Sequence, residues 1–180
     1  MIARRHFLSL MTASAAVALV RPARAHGPTP QKVSQTITIA ASPDAVWKFA
    51  GDFGLMSVWH PMVQSSRVSN GNTPGSEREL ELEKGVLIES LDEYDAKQML
   101  IAWRLSKENV EVMPVSFYSS SMTVKPSGSG SEVEWDARLY RGDTGNFPPD
   151  ELNDEAAVAA MTAFYKAGLE GLKAKVEKKG

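Results

Sequence analysis

Apolar and polar residues alternate along most of the chain between positions 32 and 140, and the rhythm changes once, near the end. Lys32 to Ala40 sets Val33, Ile37 and Ile39 against Ser34, Thr36 and Thr38, the period of a half-buried strand. Six further stretches read as strands: Val63 to Val68, Arg78 to Glu83, Val86 to Tyr94, Gln98 to Ser106, Val110 to Pro126 and Glu132 to Tyr140. The connections Lys84-Gly85, Asp95-Ala96 and Ser127-Gly128-Ser129-Gly130 are short, which predicts antiparallel neighbours. In the last strand Val133, Trp135, Ala137 and Leu139 share one face and Glu132, Glu134, Asp136 and Arg138 the other.

Two short helices interrupt the strands early. Ser42-Pro43-Asp44 supplies an N-cap and a first-turn proline ahead of Val46, Trp47, Phe49 and Ala50, and Leu55 to Trp59 is a second piece stopped by Pro61. From Glu151 to Lys178 the period lengthens. Ala157, Met161, Phe164, Tyr165, Gly168, Leu169, Leu172 and Val176 recur at three- and four-residue steps, with acidic residues before them and lysines after. This predicts one long terminal helix, starting at Pro149 and Asp150. The order is α+β: an antiparallel sheet of about seven strands, two short helices after the first strand, and a long helix on one face. Seven strands at ~4.8 Å span roughly 34 Å, whereas a helix with its side chains is ~10–12 Å across. The sheet must curl around the helix, and a cavity is expected between them unless very large side chains fill it.

Composition adds a compartment. The pair Arg4-Arg5, the apolar run from Phe7 to Val20 and the Ala23-Arg24-Ala25 signature together read as a cleavable twin-arginine export leader over residues 1–25. The run is too short for a transmembrane span, and without cysteine no lipid anchor can be attached through one. Residues 26–180 then form a single periplasmic domain. Removing Arg4, Arg5, Arg21 and Arg24 leaves that domain four charges more acidic than the −2 of the full sequence. Such a balance argues against nucleic acid or an anionic membrane as partner.

Candidate chemistry is sparse. His26 and His60 are the histidines beyond the leader. His26 at a new N-terminus could chelate copper through its amine and imidazole, but too few ligands accompany it, and neither metal nor cofactor is expected. Trp59-His60-Pro61 closes the short-helix region at the expected cavity mouth. His60 there could hold a ligand carbonyl, act as a general base, or simply be packed beside Trp59 and satisfied by backbone. Trp59, His60, Trp103, Tyr118, Trp135 and Phe164 are the candidate cavity lining. Arg78, Glu89, Arg104 and Arg141 lie on or beside strands, where surface pairing is the ordinary fate of a charge. No nucleophile–base constellation is present, so an enzyme is not expected. The segment Arg141 to Asp154 is a long loop carrying Phe147 among acidic residues and prolines. Phe147 either staples the helix start or, with Asp150 and Glu151, meets a protein partner.

With SPDAVWKFAGDF, WHPMV, VEW and the terminal helix in view, the chain resembles the SRPBCC (START/Bet v 1-like, polyketide cyclase/dehydrase-like) superfamily, whose helix-grip fold wraps a sheet around one C-terminal helix. HGPTPQKV, the WHP group, VMPVSFYSSSMTVKP, VEWDARLYRG and PPDELNDEAA look, more narrowly, like MxaD-type proteins of methanol oxidation. That resemblance implies a periplasmic, non-enzymatic accessory that assists electron transfer between a quinoprotein methanol dehydrogenase and its c-type cytochrome. Two other readings stand beside it: a carrier or sensor of a small apolar ligand, and a cyclase- or dehydratase-like enzyme using His60.

Overall fold

The computed structural model describes residues 27–178, so the expected leader and His26 lie outside the described residues. Strand β1 (Gln31–Ile39) is followed by helices α1 (Pro43–Ala50) and α2 (Met56–Trp59). Then come β2 (Ser65–Val68), β3 (Glu77–Leu82), β4 (Gly85–Asp95), β5 (Leu100–Lys107), β6 (Val115–Ser127) and β7 (Gly130–Arg141). A 3-10 turn (Asp150–Leu152) and helix α3 (Asp154–Glu177) complete the chain.

The seven strands form one sheet in the order β1-β7-β6-β5-β4-β3-β2, every neighbouring pair antiparallel. Register shifts between Leu91 and Glu93 and between Val115 and Phe117 interrupt the long strands β4 and β6. Irregularities of this kind bend a strand and let a sheet curl. The β6–β7 hairpin closes through Gly128-Ser129, with Gly128 at φ +58°, a left-handed conformation that costs glycine little. In α1 the Ser42 hydroxyl accepts from the Ala45 amide at 3.4 Å and Pro43 occupies the first turn.

Helix α3 buries Ala157, Met161, Phe164, Tyr165, Gly168, Leu169, Leu172 and Val176, the face its period predicts. It lies against β1 and β7. Its far end is tied down by the Glu177 carboxylate, which accepts from the Ala40 amide at 2.9 Å, and by Lys173 Nζ, which donates to the Thr38 carbonyl at 2.9 Å.

Two boundaries differ from the sequence reading. The long helix begins at Asp154, because the Asn153 side chain caps the Ala156 amide at 2.8 Å, and the Pro149-Asp150 start yields only the 3-10 turn. Strand β6 begins at Val115 instead of Val110. Asn109 turns the chain by accepting from the amides of Val112 and Met113, and Pro114 has no amide to give a ladder. Among the described residues no helix is long and apolar enough to cross a membrane.

Candidate functional site

Between α3 and the curled sheet lies a cluster of rings. Trp59 and His60 come from α2 and its C-cap, Trp103 from β5, Tyr118 from β6, Trp135 from β7 and Phe164 from α3. His60 and Phe164 are 4.0 Å apart by ring centroid, and Trp135 stands 5.9 to 6.1 Å from Trp103, Trp59, His60 and Phe164. Tyr165 stacks on Trp135 at 4.1 Å. Five of the six residues expected to line a cavity are thus packed ring against ring, Tyr118 joins them through the Glu89 carboxylate, and each is 6% exposed or less. Large side chains occupy the space between rod and sheet, the condition under which the width argument requires no cavity.

His60 is fixed by backbone on both sides. Its Nδ1 accepts from the Met62 amide at 3.2 Å, so Nε2 carries the proton and donates to the Phe164 carbonyl at 3.0 Å. That carbonyl belongs to α3, and one turn on is Gly168, where a Cβ would sit 2.6 Å from the His60 ring and 2.7 Å from Trp135. At Gly171 a Cβ would sit 2.1 Å from the Trp59 carbonyl oxygen. Two glycines therefore open the helix surface on which Trp59-His60-Pro61 seats. Burial lowers the His60 pKa to about 4, with the Arg78 charge acting the same way and the bond to Phe164 opposing it. His60 is neutral at pH 7 and has no free nitrogen.

Beside the rings is a polar network that sequence reasoning missed. Arg78 and Glu89 are cross-strand partners, each 2% exposed. Arg78 Nε donates to Glu89 Oε2 at 2.9 Å, Nη2 donates to the same oxygen, and Nη1 donates to the Phe53 carbonyl at 2.8 Å. The guanidinium also lies 4.0 Å from the Phe53 ring centroid. Glu89 Oε1 accepts from Trp103 Nε1 at 2.9 Å and from the Tyr118 hydroxyl at 2.5 Å. Burial first, and then the Glu89 charge, push the Tyr118 hydroxyl well above its ordinary pKa, so it remains a donor. Tyr165, raised chiefly by burial, bonds Ser120.

Surface pairing is therefore corrected for Arg78 and Glu89. The signal was in the parity: Arg78 shares a face with Leu80 and Leu82, and Glu89 with Leu87 and Leu91. Arg104, by contrast, pairs with Asp92 at the surface.

The β7–α3 loop is built differently. Arg141 donates from Nε to the Asp143 carbonyl (2.7 Å), from Nη2 to the Gly145 carbonyl (2.7 Å) and from Nη1 to Asp154 (3.1 Å). Asp143 in turn caps the Gly145 amide at 2.7 Å, and its own amide reaches the Leu152 carbonyl at 3.1 Å. This clamped loop carries Phe147 at 96% exposure, with Asp150 and Glu151 exposed on the turn that follows. The staple alternative for Phe147 is overturned, since its ring touches almost nothing.

Residues 30–177 match the family described as polyketide cyclase/dehydrase and lipid transport. No curated protein matches the chain. Among solved structures it is similar to a protein from Bacillus thuringiensis (24% identity, 82% of this chain and 99% of that one, TM-score 0.68). It is similar also to the protein XoxI from Bacillus cereus (26% identity, 83% and 98%, TM-score 0.68). Ara h 8.0201 shares the fold at 14% identity, with 83% and 99% covered and a TM-score of 0.65.

Proposed function

The chain belongs to the polyketide cyclase/dehydrase and lipid transport family, and from that premise we propose that it works by binding a protein instead of by catalysis. The role is that of a periplasmic accessory in methanol or other alcohol oxidation, assisting electron transfer between a quinoprotein dehydrogenase and its c-type cytochrome. The phrases that resemble MxaD-type proteins support the pathway, and the leader-like residues 1–25 support the compartment. The observation that carries the reading is Phe147: a large ring almost wholly in water on a loop held rigid by Arg141. Exposed aromatics on pre-organised backbone are the usual anchors of protein contacts.

The interior supports the same conclusion. An acid–base mechanism through His60 has no free ring nitrogen to use, and Arg78, Glu89, Trp103 and Tyr118 already satisfy one another. The test is reconstitution. Alcohol-dependent reduction of the cytochrome by purified dehydrogenase should quicken when this protein is added, and Phe147→Ser should abolish the gain. An unchanged rate at saturating protein contradicts the proposal. Mass spectrometry of the periplasmic fraction should find a mature chain beginning at His26.

A second reading, carriage of a small apolar ligand, has its own support. The family description includes lipid transport, and Trp59 Nε1 is buried without a hydrogen-bond partner. A ligand carbonyl placed beside Trp59 would satisfy that donor.

A further inference from the structure

The exposed large apolar side chains of the described residues are Val58, Met62, Val86, Phe117 and Phe147, and all but Val58, which lies on α2, fall at or beside one end of the sheet. This is the end where β2, β4 and β6 begin and β3, β5 and β7 finish. The loops meeting there touch one another. A groove of about 550 Å³ runs between Pro61 and Met62 on one side and Leu82 and Val112 on the other. Asn109 Nδ2 donates to the Val86 carbonyl at 3.2 Å, and a Cβ on Gly142 would meet both Pro114 and Leu152. Met62 and the groove are thereby continuous with the loop that carries Phe147. The hairpins at the opposite end, around residues 69–76, 95–99 and 127–129, expose no large apolar side chain.

Charge at the same end is predominantly acidic. Glu83, Glu108, Glu111, Asp143, Asp150 and Glu151 rim it, opposed by Lys84 and Lys107, while Arg141 is engaged by its own loop. Two copies of this face would repel each other, and so would an anionic lipid surface. Its complement is a protein face with an apolar centre inside a rim of lysine or arginine. Residues 61–64, 82–86, 108–114 and 142–153 together have the extent of a standard interface, about 20–30 residues on a side.

We infer that the whole loop end, groove and Phe147 loop together, is a docking surface for a cationic protein face. This inference rests on the accessory reading for the partner's identity but not for its location or sign. The experiment has two arms. In the first, amide shifts are followed while the full chain is titrated with a lysine-rich peptide bearing one central tryptophan, and then with its glutamate counterpart. In the second, binding to the purified dehydrogenase and to a basic c-type cytochrome is measured as a function of salt.

The lysine peptide should move residues 61–64, 82–86, 108–114 and 142–153 and the glutamate peptide should not. One of the two proteins should bind, losing affinity as salt rises. Phe147→Ser and Met62→Ser should each weaken that binding by about tenfold or more. Charge reversal by Asp150→Lys with Glu151→Lys should weaken it similarly and flatten the salt dependence, while Lys97→Glu at the far end changes nothing. If the peptide maps here yet neither protein binds, the surface stands and the accessory reading falls. If a protein binds with indifference to all these variants, the surface is overturned and the accessory reading stands. Peptide shifts scattered over the molecule, or equal binding of the acidic peptide or of phosphatidylglycerol vesicles, overturn the surface outright.

Discussion

The helix–sheet interior and the loop end are made of similar residues arranged to opposite purposes. Inside, rings contact rings, and the Arg78–Glu89 pair finds its partners within the fold. At the loop end, Phe147 and Met62 face water and carboxylates outnumber the lysines beside them. The interior closes on itself, whereas the end is held rigid while leaving its apolar groups uncovered. Burial of a ring usually signals stability, and exposure on a clamped loop signals a partner.

That contrast can be broken at its strongest point first. Glu89→Ala removes the acceptor of Arg78, Trp103 and Tyr118 together and should destabilise the protein by about 3–5 kcal/mol, read by urea denaturation. The paired change Arg78→Met with Glu89→Leu should lose far less, because no charge is left stranded. A near-normal Glu89→Ala would mean the network is not closed. Next comes the seat of Trp59-His60-Pro61. Gly171→Ala drives a methyl into the Trp59 carbonyl, a backbone atom that cannot easily step aside, and should cost about 1–3 kcal/mol despite alanine's better helix propensity.

Neither the network nor the Gly171 seat was legible in the sequence, whereas the helix above them was. The buried face of α3 follows from a period that only one helix orientation satisfies, so all eight residues could be named in advance. The antiparallel pairing of successive strands follows from short turns, whereas the β1–β7 pairing does not. The network escaped because charge was weighed above parity, although Arg78 and Glu89 alternate in step with buried leucines. The filling of the interior was not legible either. Whether a wide sheet leaves a hole depends on where Trp135 and Tyr165 meet across it, and no local pattern encodes that contact. Phe147 was half-legible, its loop evident but the Arg141 contacts that clamp that loop not readable from the sequence.

A smaller effect concerns pH. The folded protein holds His60 at about 4, below the 6.5 of an ordinary histidine, so the unfolded chain takes up a proton first as pH falls. Stability contributed this way is complete above pH 6.5 and declines by about 1.4 kcal/mol per unit between 6.5 and 4. At pH 5.5 wild type should have lost about 1.4 kcal/mol relative to neutral pH from this source alone. His60→Gln should remove that slope. Equal slopes in the two proteins would show that His60 is not buried neutral. The smallest effect on folding belongs to the loop end: Phe147→Ser should change stability by no more than about 0.5 kcal/mol while removing partner binding, which separates the two regions in one variant.

The central claim is that the interior is closed and the molecule works from its outer end. Native mass spectrometry of protein purified gently from its own periplasm tests this most directly. The account predicts the mass of the bare mature chain, with no stoichiometric apolar companion. A single lipid or aromatic molecule retained one-to-one, and lost together with Trp59→Phe, would contradict it.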